Sequence, residues 1–203
     1  IANSAVNMWL AGTAHHASIF MVDGQGYLYC AGANGFYQLG IGNSVTPQLI
    51  ATQPQWDING VRSLCKNVRG IWSHGHENQN EVCCYLLTER GFVFVAGANE
   101  RNNASVGFTS TYCNASVNDS NGIEMDNGGY FVMPRLQNDM QGNCSYIQPH
   151  GFGDGDTEYW GTQFFSYDNR MSNGGDRRYS KNGHIGFWSS HITDISADYP
   201  FLM

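Results

Sequence analysis

A strand pair ending in a small-residue corner recurs along this chain, and a repeated unit restricts the fold more tightly than any local propensity. The first copy runs Ile19-Phe-Met-Val-Asp-Gly-Gln-Gly-Tyr-Leu-Tyr-Cys-Ala-Gly-Ala-Asn34 and continues as Gly35-Phe-Tyr-Gln-Leu-Gly-Ile-Gly42. The second runs Tyr85-Leu-Leu-Thr-Glu-Arg-Gly-Phe-Val-Phe-Val-Ala-Gly-Ala-Asn99 and closes with Ala104-Ser-Val-Gly-Phe108. A more diverged third copy is Phe164-Phe-Ser-Tyr-Asp-Asn-Arg-Met-Ser-Asn-Gly174, closing with Asn182-Gly-His-Ile-Gly-Phe187. Anchored on the corner glycine, the spacing is 65 residues from Gly32 to Gly97 and 77 from Gly97 to Gly174, a long and elastic period.

Each copy follows one physical grammar. Period-2 alternation predicts a strand, a glycine-containing turn reverses it (Asp23-Gly-Gln-Gly26, Glu89-Arg-Gly91), and a second strand follows. The Ala-Gly-Ala-Asn corner then uses a glycine that tolerates positive φ and an asparagine that can bond its own backbone. Upstream of each hairpin lies a β-branched or aromatic stretch ending in glycine: Met8 to Gly12, Val68 to Gly75 and Ile147 to Gly151. These are expected to start each unit. Ile192-Thr-Asp-Ile-Ser196 has the same character and reads as a partial fourth unit, or as a strand completing a sheet begun at the N-terminus. The prediction is an all-β, propeller-like array of antiparallel blades in one domain spanning 1–203, with units at about 8–42, 68–108 and 147–187 and insertions at about 43–67 and 109–146. The first residue is Ile, which favours a piece excised from something longer.

These residues resemble the regulator-of-chromosome-condensation repeat: a hairpin with a glycine-containing turn, a Gly-x-Asn corner, then Gly-Gln-Leu-Gly-x-Gly. The first copy fits closely through Gly32, Asn34 and Gly40. The second keeps Gly97 and Asn99 and replaces Gln-Leu-Gly with Ser105-Val-Gly107. The third keeps Gly174 and His184-Ile-Gly186. The resemblance implies a ring, usually of seven blades, which three copies cannot close. The family's nucleotide-exchange activity on a small GTPase depends on loops of a full ring, and those residues do not map onto this chain.

Charge narrows the partners. Only 13% of residues are charged and the net charge is −7, with the ten Lys and Arg scattered singly apart from Arg177-Arg178. No positive stripe exists to neutralise a phosphate backbone, so nucleic acid is not an expected partner. No apolar run approaches the roughly 20 residues of a spanning helix, so membrane insertion is not expected either. The six cysteines (Cys30, Cys65, Cys83, Cys84, Cys113, Cys144) include no CxxC pair and fall partly in apolar strand-like runs, as buried thiols do. Four sequons, at Asn103, Asn114, Asn118 and Asn143, are what a chain with 20 Asn carries by chance.

Two clusters invite a metal reading. His74-Gly-His-Glu77 places two histidines on one strand face, and Asp154-Gly-Asp-Thr-Glu158 alternates carboxylates in a glycine-rich loop. The first aligns with a blade loop and the second lacks the twelve-residue cation loop, so neither a metal nor any other cofactor is expected. No nucleophile elbow, phosphate-cradling loop or His-Glu-x-x-His helix occurs, and the chain is expected not to be an enzyme. Aromatics among Asn, Ser and Gly suit a binding surface: Trp56, Tyr112, Tyr130, Phe131, Tyr159 and Trp160 are the candidate receptor contacts, the competing role being packing between blades. Composition favours a virion fibre or spike domain, extracellular and trimeric, that attaches to a host-surface glycan or protein. The other reading is an intracellular protein-interaction propeller acting as scaffold or GTPase regulator.

Overall fold

The computed structural model describes residues 5–13, 15–58, 61–76, 81–98, 130–137, 142–153, 158–167, 170–175 and 190–191. These residues form fourteen strands in three sheets, with no helix long and apolar enough to cross a membrane. The first sheet is a meander of β1 (Ala5–Ala11), β2 (Ser18–Asp23), β3 (Leu28–Gly32) and β4 (Gln48–Thr52). The second repeats it with β7 (Val68–His76), β8 (Glu81–Thr88), β9 (Val93–Ala98) and β10 (Tyr130–Gln137), and the third with β11 (Cys144–Gly153), β12 (Glu158–Ser166), β13 (Arg170–Gly175) and β14 (Ser190–His191). A hairpin of β5 (Gln55–Ile58) and β6 (Val61–Leu64) extends the second sheet, β5 running parallel to β10.

The stretches 43–67 and 109–146 are therefore not simple insertions. They supply the fourth strands β4 and β10 as well as the β5–β6 hairpin. Ser190–His191 completes the third sheet, and Ile192 to Ser196 lies outside the described residues.

Register shows how closely the units correspond. The first strand of every blade bulges at the same place: between Ala5 and Asn7 opposite Asp23 and Val22, between Val68 and Gly70 opposite Thr88 and Leu87, and between Cys144 and Tyr146 opposite Ser166 and Phe165. A bulge adds one unpaired residue and sharpens the twist, so three in equivalent positions give three sheets of one shape. The residues opposite the bulges, Asp23, Thr88 and Ser166, are all buried polar groups. In the first two blades each organises a three-residue turn. Tyr27 N–H donates to Asp23 Oδ1 at 2.9 Å and Phe92 N–H to Thr88 Oγ1 at 3.0 Å. The turns end on Gly26 (φ +83°) and Gly91 (φ +79°), the left-handed residue of a G1-bulge hairpin.

Counting back from those polar residues locates the corners. Gly32 pairs with Ser18, and Gly97 with Cys83. Their φ angles are +107° and +99°. A Cβ on Gly32 would meet Ala17 O at 2.8 Å and Ser18 Cα at 3.1 Å, and one on Gly97 would meet Val82 O and, at 3.0 Å, Cys83 Cα. Glycine is required twice over at each site, by torsion and by space. In the third blade the equivalent pair is Gly161 with Gly175, so Gly174, opposite Thr162, lies one residue short of the corner. A one-residue slip moves every side chain to the other face, which the sequence cannot resolve where two glycines adjoin.

The sheets stack face on face. Because successive strand residues point to opposite faces, Cys84 and Leu86 of β8 join one core with Phe20, Val22, Leu28 and Cys30, while Cys83, Tyr85 and Leu87 join another with Cys144, Ile147 and Phe164. Each large side chain buried in this way contributes about 1.5–3 kcal/mol. Trp9 and Trp72, which pair with Phe20 and Tyr85, lean against the two cores from equivalent positions. Arg69, the extra residue of the second bulge, ties the second blade to the third by donating to Cys144 O at 3.1 Å and Ser145 O at 2.6 Å.

Candidate interaction surface

The strands β1, β3, β7, β9, β11 and β13 all end on one side of the sheets, the side at which Gly32 and Gly97 sit. The β3–β4 connection shows how this end is built. Asn34 is fully buried and works as the post of the loop. Its Oδ1 accepts from Leu39 N at 3.1 Å, its Nδ2 donates to Asn43 O at 2.6 Å, and its backbone N–H donates to Thr46 Oγ1 at 3.2 Å. Leu39 is thereby driven into the first core, and Gly40 (φ +66°) lies against the second blade, where a Cβ would meet Pro134 Cδ at 2.6 Å and Ala96 Cβ at 3.2 Å. Gln38 Cα would stand 3.3 Å from a Cβ on Gly97. The Gly-x-Asn and Gln-Leu-Gly elements of the repeat are therefore an inter-blade clasp.

The clasp holds a rim above it. Between Asn34 and Gln38 the chain carries Phe36, whose N–H donates to Gln38 Oε1 at 3.0 Å, and Tyr37, which adopts φ +59°. A bulky residue in the left-handed region costs on the order of 1–3 kcal/mol and persists only where its surroundings over-determine it. His16, from the β1–β2 connection, meets the Phe36 ring edge-on at 4.8 Å between centroids. That connection is itself anchored to the second blade, Gly12 N–H donating to Ser73 Oγ at 2.6 Å. His16, Phe36 and Tyr37 are half-buried and His15 is exposed, so imidazole and aromatic groups are presented on a backbone with little freedom. Such a rim can bind by stacking and hydrogen bonding at low entropic cost.

The predicted contacts divide. Trp56 is buried in the first core, its ring 3.9 Å from that of Phe94, and Phe131 is fully buried in the second. Both lie on strands between covered faces, which corrects their assignment to an irregular receptor-facing surface. Tyr130 opens β10 opposite Ala98, and Tyr159 and Trp160 stand near the start of β12, all at the corner end; Tyr112 lies outside the described residues. Of the repeat residues, Asn99, Gly107 and Gly186 also lie outside them, as does Glu77 of the histidine cluster. Among the described residues no group of three or more His, Cys, Asp or Glu could hold a metal ion. Phe36 and His16 sit within or beside the repeat motif, where residue type alone points to a structural role.

The cysteines Cys30, Cys65, Cys83, Cys84 and Cys144 are buried. Burial pushes the thiols of Cys30 and Cys144 up to about 12 and those of Cys65 and Cys84 well above their ordinary value. Such thiols are inert packing groups.

No family model and no curated protein matches the sequence. Among solved structures, human WBSCR16 is 16% identical over 93% of this chain and 37% of its own, with a TM-score of 0.52. Prp20p from Saccharomyces cerevisiae, described with its binding properties to Gsp1p and histones, is 16% identical over 86% of this chain and 34% of its own, with a TM-score of 0.49. The chain thus spans little more than a third of the structures it resembles. At 16% identity the likeness to WBSCR16 is one of fold, and the chain is an all-β, propeller-like array of antiparallel blades.

Proposed function

We propose that this chain is a non-enzymatic protein-binding arc of a propeller whose working surface is its corner end. The observation that carries the proposal is the clasped rim of His16, Phe36 and Tyr37 at that end. Loops clustered on one face of a rigid repeat scaffold are where such proteins place their contacts. The partner class is a protein, with a scaffold or GTPase-regulator role as the finer reading. The buried thiols Cys30, Cys65, Cys84 and Cys144 support the intracellular reading, because reducing compartments preserve them. Attachment of a virion to a host-surface glycan or protein is the second reading; low charge and abundant Gly and Asn favour it.

Purified wild type and a Phe36→Ala/His16→Ala variant of matching thermal stability separate the readings. Wild type should retain a discrete set of proteins from a cytosolic extract and the variant at least ten-fold less, with no signal on a glycan array. Glycan binding alone would move the assignment to attachment. Retention unaffected by the double substitution would remove the rim from it.

A further inference from the structure

Two polar atoms at the corner end are buried and unmatched. Gln38 is 0% exposed and its Oε1 accepts from Phe36 N–H at 3.0 Å, yet its Nε2 has no hydrogen-bond partner among the described residues. Turning the amide over does not help, because the Phe36 N–H would then face a second donor. Thr13 Oγ1, in the β1–β2 connection, is likewise buried with no partner among the described residues. Nearly all such groups in folded proteins are satisfied by protein, water or ligand, since an unmade buried hydrogen bond is costly.

Both atoms belong to the two loops that the rim joins. Thr13 O holds His16 N–H at 3.2 Å, the His16 ring meets that of Phe36, and Gln38 holds the Phe36 N–H. Because Oε1 and Nε2 share one planar amide, the unmatched Nε2 stands beside the Phe36 backbone. Between them Tyr37 keeps its left-handed φ of +59°. Backbone strain and unmade hydrogen bonds gathered in one loop are features of a site that a ligand completes.

Charge selects the ligand. From Ile1 to Trp56 the sequence holds a single Asp, Asp23, and no Glu, Lys or Arg. Asp23 is engaged at the opposite end by the β2–β3 turn. A carboxylate brought against Gln38 would find no Lys or Arg on either loop to offset its desolvation. A neutral carboxamide carries an acceptor for Nε2 and a donor for the hydroxyl in one planar group.

We propose that the rim admits the carboxamide of an Asn or Gln on a partner protein, its oxygen accepting from Gln38 Nε2 and its N–H donating to Thr13 Oγ1. This rests on the rim being the protein-binding surface. Gln38 is closed to solvent in the free protein, so the group enters as the His16 and Phe36 rings separate.

Solution NMR of the 203-residue chain tests this at Gln38 itself, whose side-chain NH2 signals are assigned by their loss in Gln38→Met. Three probes share one backbone: N-acetylasparagine amide, N-acetylaspartate amide and N-acetylalanine amide. The asparagine probe should move the Gln38 signals saturably, and the other two at least ten-fold less at equal concentration. Thr13→Val should weaken the asparagine probe about ten-fold, as loss of one hydrogen bond to a buried group does. Signals that no probe moves would overturn the proposal, a buried water then being the partner of Gln38. Equal movement by the alanine probe, or a preference for aspartate, would overturn it as well. The rim is judged separately: proteins lost from Phe36→Ala/His16→Ala but kept by Thr13→Val would leave the surface standing and remove the carboxamide site.

Discussion

The first and second blades are built on one register, yet the second is buried on both faces and the first on one. In β8 every residue from Val82 to Leu87 is at most 1% exposed, whereas in β2 burial alternates, Phe20 and Val22 buried and Ile19 and Met21 half-exposed. The two strands are similarly apolar. Burial in this molecule is therefore set by a blade's place in the stack, and sequence hydrophobicity records the faces a blade is built to have covered.

That contrast can be broken by paired substitutions at equivalent positions in the 203-residue chain. Leu86→Ala, in the central blade, should cost about 2–5 kcal/mol by urea unfolding, since it removes side-chain volume from a closed core. Met21→Ala, its counterpart in the first blade, should cost less than about 1 kcal/mol. Equal losses would mean that the first blade is covered in the isolated chain.

The corners sharpen the comparison from the opposite direction, because there the two blades are alike. Gly32→Ala and Gly97→Ala should each destabilise by about 1–3 kcal/mol, as both positions combine positive φ with backbone in the way of a Cβ. Gly24→Ala, where the nearest atom is Val6 Cγ1 at 4.0 Å, should stay within about 0.5 kcal/mol. A tolerated Gly97→Ala would refute the corner assignment.

A pH series tests the thiols buried between the blades. Burial holds Cys30 and Cys144 protonated up to about pH 12, whereas in the unfolded chain they ionise near 9.0. The unfolded state thus binds fewer protons above pH 9, so stability should be level below that pH and fall as pH rises from 9 towards 12. Urea midpoints at pH 8 and pH 10.5 should show the fall, and Cys30→Ala should reduce it. A Cys30→Ala variant with an undiminished slope would assign the decline to other groups.

Much of this fold is legible in the residues and some is not, for physical reasons. The hairpins, their turn glycines and the first two corners are legible because each rests on a local constraint: period-2 alternation, positive φ, an asparagine that bonds its own loop. The fourth strands are not, since the pairing of Gln48–Thr52 and Tyr130–Gln137 is decided by the neighbouring strands and not by a local turn. The slip between Gly174 and Gly175 and the three bulges belong to register, which only cross-strand pairing reveals. Trp9 and Trp72 are equivalent once the bulges are matched, and the diverged third copy, with Gln148 at that position, hides the pattern. At the candidate surface, aromatic identity alone could not separate Trp56 and Phe131, which fill cores, from Phe36, which forms the rim.

Hydrogen exchange of the isolated 203-residue chain, resolved to single strands by mass spectrometry, measures the contrast between blades most directly, because protection reports local opening. Amides of Val82–Thr88 and Val93–Ala98 should exchange most slowly of all, ahead of Ser18–Asp23 and Leu28–Gly32. Equal protection of the first hairpin, or fast exchange throughout the second, would contradict a central blade enclosed between two others.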